Sequence, residues 1–254
     1  MNSYYKSLFK LPIYFLYLFK KVLVNRKEYA DLPLYMQDGL ISDHNCDFLC
    51  NDNDFLTAYN EALALNLHVK KDIHWRVHTL CWAASNALQL EGDFIEFGVN
   101  KGFCSKTIIE YIKFYNTTKT YFLVDTFSGL SEQVSTKEEI GEMKGLYTPC
   151  LEIVQRVFSK YENIKIIEGV VPNILDSINV EKIAFVHIDM NAVEPELAAA
   201  NFCWDKLVKG GYIVLDDYGH RPHKKLKIAL DIFAKKHSIK VLSLPTGQGM
   251  IIKN

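Results

Sequence analysis

The sequence predicts an α/β fold built on one open, mostly parallel sheet with a reversed strand near its end, and three observations predict it. Short apolar runs rich in β-branched and aromatic residues recur at 94–97, 121–124, 164–167, 184–188 and 212–215. Runs of that length read as strands buried on both faces of a parallel sheet. Stretches with helical apolar spacing lie between them, as parallel crossovers require. Two final runs, 239–244 and 250–252, are joined only by the turn 245–249, which permits an antiparallel hairpin.

Taken in order, residues 1–72 are expected to form an N-terminal helical appendage and cover, and 73–254 the main domain. Within 1–72, Asp38-Gly39 reads as a turn. Residues 51–54 read as a helix start, with Phe55, Tyr59, Ala62 and Leu63 following at helical spacing. A second cover helix is expected over 73–90, where Trp75, Leu80, Trp82, Ala83, Ala87 and Leu88 make an apolar stripe. The first strand, 94–97, runs through a glycine turn at 98–102 into a helix at 105–114. The second ends at Asp125. After a long connection and a helix at 151–161, the third ends at Glu168-Gly169. Strand 184–188 leads into Asp189, a crossover helix is expected at 196–209, and strand 212–215 begins after Gly210-Gly211 and ends in Asp216-Asp217.

Composition narrows the class. The chain has 254 residues, 49% of them hydrophobic, and a net charge of −1, so it is long enough to bury a full core as a globular chain. The near-neutral balance excludes a general nucleic-acid binder, which carries a basic excess. Cys46, Cys50, Cys81, Cys104, Cys150 and Cys203 form no C-x-x-C pair and no zinc-finger spacing; several sit inside apolar runs and read as small core hydrophobes, and a reducing cytoplasm is the simplest setting. Near the start, Lys6, Lys10, Lys20, Lys21, Arg26 and Lys27 surround the apolar run 11–19. That run is far short of the ~20 residues of a spanning helix, and no small-residue cleavage site follows it. Such a segment suits either peripheral contact with an anionic membrane surface or packing on the main domain or a second subunit. The packing reading is favoured, and a homo-oligomer is expected.

The chemistry gathers where strands end, because ligands of open α/β sheets bind beyond the carboxyl ends. Adjacent strands lie ~5 Å apart, which brings Asp189, Asp216 and Asp217 together. Three close carboxylates repel unless something positive sits among them, and a hard divalent cation such as Mg²⁺ suits their oxygens. The competing reading is ordinary loop acids with an Asx-type turn. In the first turn, Gly98 and Gly102 form G-x-x-x-G rather than the G-x-G-x-x-G of dinucleotide sites. Glycine there still allows close approach of a ligand at a helix N-terminus, and Asp125 stands where ribose hydroxyls are bound. With Glu168-Gly169, this pattern points to an adenosine-bearing ligand without a pyrophosphate.

Six stretches then carry a family resemblance: Trp75-Arg76, 92–99, 125–129, 169–175, 187–189 and 210–218. Together they resemble class I S-adenosylmethionine-dependent methyltransferases of the macrocin/mycinamicin/novobiocin sugar O-methyltransferase group, over roughly 73–235. The ending 244–249 resembles relatives associated with bacterial surface polysaccharide synthesis. The resemblance implies a Rossmann-like seven-stranded sheet with a reversed last strand. It implies S-adenosylmethionine as cofactor, with Glu96, Gly98 and the turn to Gly102 around its methionine part. Asp125 would bind the ribose, with Ser128, Glu168 and Gly169 near the adenine; Ser105 and Asp189 also belong to the implied cofactor set. Asp189, Asp216 and Asp217 match the group's Mg²⁺ ligands. The implied acceptor is a sugar or nucleotide sugar, or a surface-polysaccharide or secondary-metabolite glycoside.

One departure matters. Two residues after its first metal ligand the group often has a second Asp, read as general base, and this chain has Asn191, which takes no proton. His220 is the leading replacement, with Glu194 and His223 as rivals, while His187 reads as a satisfied core histidine. Two other readings stay open: a methyltransferase-like binding subunit without catalysis, and an O-methyltransferase of small catechol-type acceptors.

Overall fold

The computed structural model describes residues 35–42, 44–67 and 72–254; the expectations for segment 1–30 lie outside the described residues. Of these, 35–36, 41–42 and 44–52 form one unit, and 37–40 with 53–254 form the other. Strands β1 (Tyr35–Gln37) and β2 (Leu40–Ser42) pair in a two-stranded sheet. Their turn has φ +52° at Asp38 and +75° at Gly39, the positive pair a two-residue hairpin needs. Helix α1 (Phe48–Asn51) follows.

In the larger unit, helices α2 (Asn53–Ala64) and α3 (His74–Ala87) precede a seven-stranded sheet. Its strands are β3 (Asp93–Phe97), β4 (Tyr121–Asp125), β5 (Ile164–Glu168), β6 (Ile183–Ile188), β7 (Leu207–Leu215), β8 (Leu242–Ser243) and β9 (Gly249–Ile252). They lie in the order β5-β4-β3-β6-β7-β9-β8. All pairs are parallel except those of β9, which runs antiparallel to both β7 and β8. The reversed strand is therefore the last in sequence and sits between two others.

Strand alternation decides what each face carries. Register sets Glu96 beside His187, and His187 beside Val214. Phe94, Glu96, Phe185 and His187 thus share one face, and Ile95, Phe97, Val186 and Ile188 the other. The second set packs with Ala199, Ala200 and Cys203 of α7 (Val193–Lys206) and Leu226, Leu230 and Phe233 of α8 (Lys224–Lys236). On the first face Phe94 meets Phe114 at 4.9 Å and Phe185 at 5.2 Å between ring centres. Helix α3 lies against β6 and β7 on its way to α4 (Phe103–Tyr111). Glu96 and His187 are the polar residues on that otherwise aromatic and aliphatic face, one pleat below the strand ends.

Several boundaries differ from expectation, some for visible reasons. The crossover helix α7 starts at Val193 and stops at Lys206, because Leu207 already pairs with Ile183 in the sheet. Gly210 and Gly211 then lie inside β7, exchanging hydrogen bonds with Lys253. The penultimate strand is only Leu242–Ser243, since Ile239 still donates its N–H to Ala234 at the end of α8. The long connection after β4 holds α5 (Lys137–Glu142), opened by a capping box between Thr136 and Glu139, and α6 (Leu151–Phe158) leads into β5.

Candidate active site

The site begins where the parallel ladder runs one residue past three strands. Gly98 N–H bonds the Val124 carbonyl, Asp189 N–H that of Phe97, and Asp216 N–H that of Ile188. Gly98 (φ +86°) passes so close to Asp189 that a Cβ would lie 1.7 Å from the Asp189 carbonyl oxygen. Only glycine permits this junction. Gly102 (φ +85°) opens α4, and its missing Cβ makes room for the Phe158 ring rather than for a ligand.

A cavity lies on the β4–β5 side of the junction. Gly98, Asp125, Phe127, Gly169, Tyr147 and Asp189 are among its walls. Asp125 organises it: one carboxylate oxygen accepts from the Asn100 N–H at 2.7 Å and the other from the Phe127 N–H at 2.7 Å. A single acid thereby ties the glycine turn after β3 to the turn after β4, with lone pairs left over. Its mostly apolar walls suit a small ligand.

A second, larger cavity opens on the β6–β7 side and shares Gly98, Asn100, Tyr147, Asp189 and Asn191 with the first. Asp38, Asp189, Asp216 and Asp217 line it with Arg76, His220 and His223. Arg76 is the hub. Its guanidinium bonds Asp216 Oδ2, pairs with both oxygens of Asp38 at 3.0 and 3.1 Å, and reaches His220 Nε2 at 3.1 Å. Burial pulls the Arg76 guanidinium down, but Asp216, Asp38 and Asp189 outweigh it and keep it charged. Arginine only donates, so His220 bonded to it carries its proton on Nδ1, which lies 3.0 Å from Asp217 Oδ1. That bond raises His220 above its ordinary value, against burial.

Each acid has a distinct setting. Asp216 is buried; Gln248 Nε2 donates to its Oδ1 at 2.9 Å while Arg76 takes Oδ2. Burial pushes it up, but Arg76 and His187 overcome this and hold it well below the carboxylate range. Asp189 has no such cation of its own, and burial with Asp216 and Asp217 drives its carboxyl well up. Asp217 Oδ2 is buried without a hydrogen-bond partner, with His223 Nε2 no nearer than 4.0 Å. His187 bonds Glu96 Oε1 through Nδ1 at 2.7 Å, and its Nε2 has no hydrogen-bond partner. Burial lowers His187, yet the carboxylates of Asp216 and Glu96 raise it to about 10. The two acids divide by partner: Asp216 has cations beside it and falls, whereas Asp189 has none of its own and rises.

Asn191 (φ +56°) stands at the boundary of the two cavities. Its amide donates to Tyr147 Oη at 3.0 Å and to Asp189 Oδ1 at 3.2 Å. Buried Glu196 shapes that turn by accepting from the N–H groups of Met190 and Asn191.

Of the residues singled out from sequence, Gly98, Asp125, Gly169, Asp189, Asn191, Asp216, Asp217, His220 and His223 line one cavity or both, and Glu96 lines the second. Gly102, Ser105, Ser128, Glu168 and Glu194 line neither. Ser105 is buried and donates to Glu96 from behind; Ser128, Glu168 and Glu194 are exposed. Sequence reasoning missed Asp38, Tyr147, Glu196 and Gln248, and placed Arg76 only within the Trp75-Arg76 stretch of the family resemblance, with no role of its own. Gln248 had a signal in the ending 244–249, and Asp38 in its Asp-Gly turn.

The macrocin-O-methyltransferase (TylF) family matches residues 76–243. No curated protein sequence matches the chain. Among solved structures, the O-methyltransferase NovP superposes with a TM-score of 0.63 at 17% identity, over 73% of this chain and 82% of that one. CalS11, a calicheamicin methyltransferase, gives 0.57 at 18%, over 81% and 88%. The SAH-bound methyltransferase PaMTH1 of Podospora anserina gives 0.50 at 15%, over 80% and 88%. These likenesses concern the fold, a Rossmann-like methyltransferase sheet.

Proposed function

The chain belongs to the macrocin-O-methyltransferase family, and we propose that it moves a methyl group from S-adenosylmethionine to a sugar hydroxyl with help from a divalent cation. The observation that carries this reading is the meeting of two cavities at Gly98, Asp189 and Asn191, one glycine-walled with Asp125, the other lined by acids. The first suits the cofactor: Asp125 for the ribose, Gly169 for the adenine side, Gly98 beside the sulfonium end. PaMTH1 binds SAH, the spent cofactor, on the same fold. The second suits the acceptor. CalS11 is a TDP-rhamnose 3′-O-methyltransferase, which supports a sugar or nucleotide-sugar acceptor here.

The residues fit a cation on their own chemistry. Four carboxylates (Asp38, Asp189, Asp216, Asp217) face one guanidinium, and Asp217 Oδ2 and His187 Nε2 are buried without hydrogen-bond partners. Asp189, Asp216 and Asp217 would hold it; bound there, it would lower the pKa of an acceptor hydroxyl and orient it. The chain's own share is positioning, which supplies several kcal/mol when reacting atoms are held in line. Tyr147 and Asn191 separate the two ligands and fix Asp189. Asn191 takes no proton, so His220 is the base, held by Asp217 at Nδ1; its Nε2 serves once the acceptor displaces the bond from Arg76.

Calorimetry with S-adenosylhomocysteine tests the cofactor half without any acceptor. The full chain should bind it without metal, and Asp125→Ala should weaken binding by about 1–3 kcal/mol, the worth of hydrogen bonds to a charged group. A folded protein that binds neither this ligand nor S-adenosylmethionine would refute the reading.

A further inference from the structure

His187 sits deeper than the acids and is built differently from a packing residue. It is fully buried on β6, one pleat below Asp189 and on the same face. Behind it, Nδ1 bonds Glu96 Oε1 at 2.7 Å, and Ser105 donates to that same carboxylate. In front, Nε2 has no hydrogen-bond partner and faces Asp216 Oδ1 at 3.6 Å. Donor atoms of His187, Asp189 and Asp216 all lie within 4.8 Å of one another. Glu96, Asp189 and Asp216 border the second cavity, which gives an ion a way in. Arg76 occupies Asp216 Oδ2, while Oδ1 accepts from Gln248 Nε2 at 2.9 Å, faces His187 at 3.6 Å and has a second lone pair to offer.

We propose that His187 Nε2 is a ligand of the divalent cation, in one set with Asp189 and Asp216, and that the site takes first-row transition ions in preference to Mg²⁺. A carboxylate behind a histidine fixes its tautomer and makes the free nitrogen a better donor, the usual support of a metal-ligating imidazole. Imidazole favours transition ions, whereas Mg²⁺ selects oxygen and retained water. Asp217 stands outside that 4.8 Å group among the described residues and also orients His220 through Oδ1, so His187 joins the carboxylate set proposed above and does not replace it. The inference rests on the cation reading given above.

The test uses the full chain stripped of metal and titrated with Mn²⁺, followed by continuous-wave and pulsed electron paramagnetic resonance. Bound Mn²⁺ should show nitrogen modulation from a coordinated imidazole. The modulation should persist in His220→Ala and in His223→Ala, the other imidazoles near the acids, and vanish in His187→Gln with Mn²⁺ affinity down about 10-fold or more. Glu96→Gln should keep the modulation but weaken Mn²⁺ about 10–100-fold, the usual loss when a supporting carboxylate is removed. Zn²⁺ should displace Mn²⁺ at concentrations about 10-fold or more below those of Mg²⁺. Mn²⁺ bound without nitrogen modulation, or modulation that disappears with His220 or His223, would overturn the His187 assignment and leave the carboxylate site standing. Absence of any Mn²⁺ binding would overturn both. Should His187→Gln fail to fold, the wild-type spectrum and the two other histidine variants still decide.

Discussion

Asn191 carries a carboxamide at a position where the related sugar methyltransferases often have a carboxylate, and the structure gives that amide work a carboxylate could not do. It donates to Tyr147 and to Asp189 from a left-handed backbone that Glu196 holds in place. An acid there would face Asp189 as a like charge, in a cluster already short of cations. On the proposed reading proton removal falls to His220, which is one-third exposed, borders the second cavity and leans on Asp217. His220→Ala should lower kcat by about 10²–10⁴-fold while S-adenosylhomocysteine affinity stays as in the wild type. A variant within a few-fold of wild type would move the proton to His223 or to a metal-bound water. Glu194 has lost ground as a rival, since it is exposed on α7 and lines neither cavity.

At the scale of elements, helix α4 does two jobs. Its N-terminal end follows the glycine turn, and its middle buries a charge. Lys106 is 3% exposed and donates to Glu110 one turn on, which also accepts from Tyr161 and has Lys160 at 3.5 Å. Burial pushes the Glu110 carboxyl up, but these partners outweigh it and leave it below its ordinary value. A depressed carboxyl contributes stability that is present above its unfolded pKa, ~4.3, and lost as pH falls through the folded value. Glu110→Gln should therefore melt below wild type at pH 7, with the gap closing as pH falls from about 5 toward 3. Partial exposure screens the cluster, so the gap will be modest. A gap unchanged with pH would show that Glu110 packs rather than pairs. The hairpin to β9 acts at the other end of the site. Gly247 lacks the Cβ that would lie 2.4 Å from the His220 ring, and Gln248 reaches Asp216, so this turn seats His220 and Asp216 together.

Across the whole molecule, what could be read in the sequence was whatever strands announce locally. Asp125, Asp189, Asp216 and Asp217 each close an apolar run, and a run that ends in acid marks a strand end without knowledge of its neighbours. The reversed strand followed from the shortness of 245–249. Arg76 was not legible as the hub, because it meets Asp216 from 140 residues away and no local pattern pairs them. His187 looked like core for the same reason: Glu96 reaches it only because β3 and β6, which are not consecutive, lie side by side. Gly102 closes the glycine turn and Ser105 lies in the first turn of α4, yet they face Phe158 and Glu96, since a motif fixes position and not direction.

Segment 1–30, outside the described residues, is proposed to support a dimer or a peripheral membrane contact; no helix among the described residues is long and apolar enough to cross a membrane. Oligomeric state does not bear on the central claim, which concerns a methyl group, a sugar oxygen and a cation. It is tested most directly by following label from methyl-labelled S-adenosylmethionine into a panel of nucleotide sugars, glycosides and catechols, with EDTA and with added Mg²⁺ or Mn²⁺. The expected result is label on a sugar hydroxyl, abolished by EDTA and restored by the divalent ion. Label on a catechol alone, transfer to sugar untouched by EDTA, or no transfer to any acceptor by protein that binds the cofactor would contradict it.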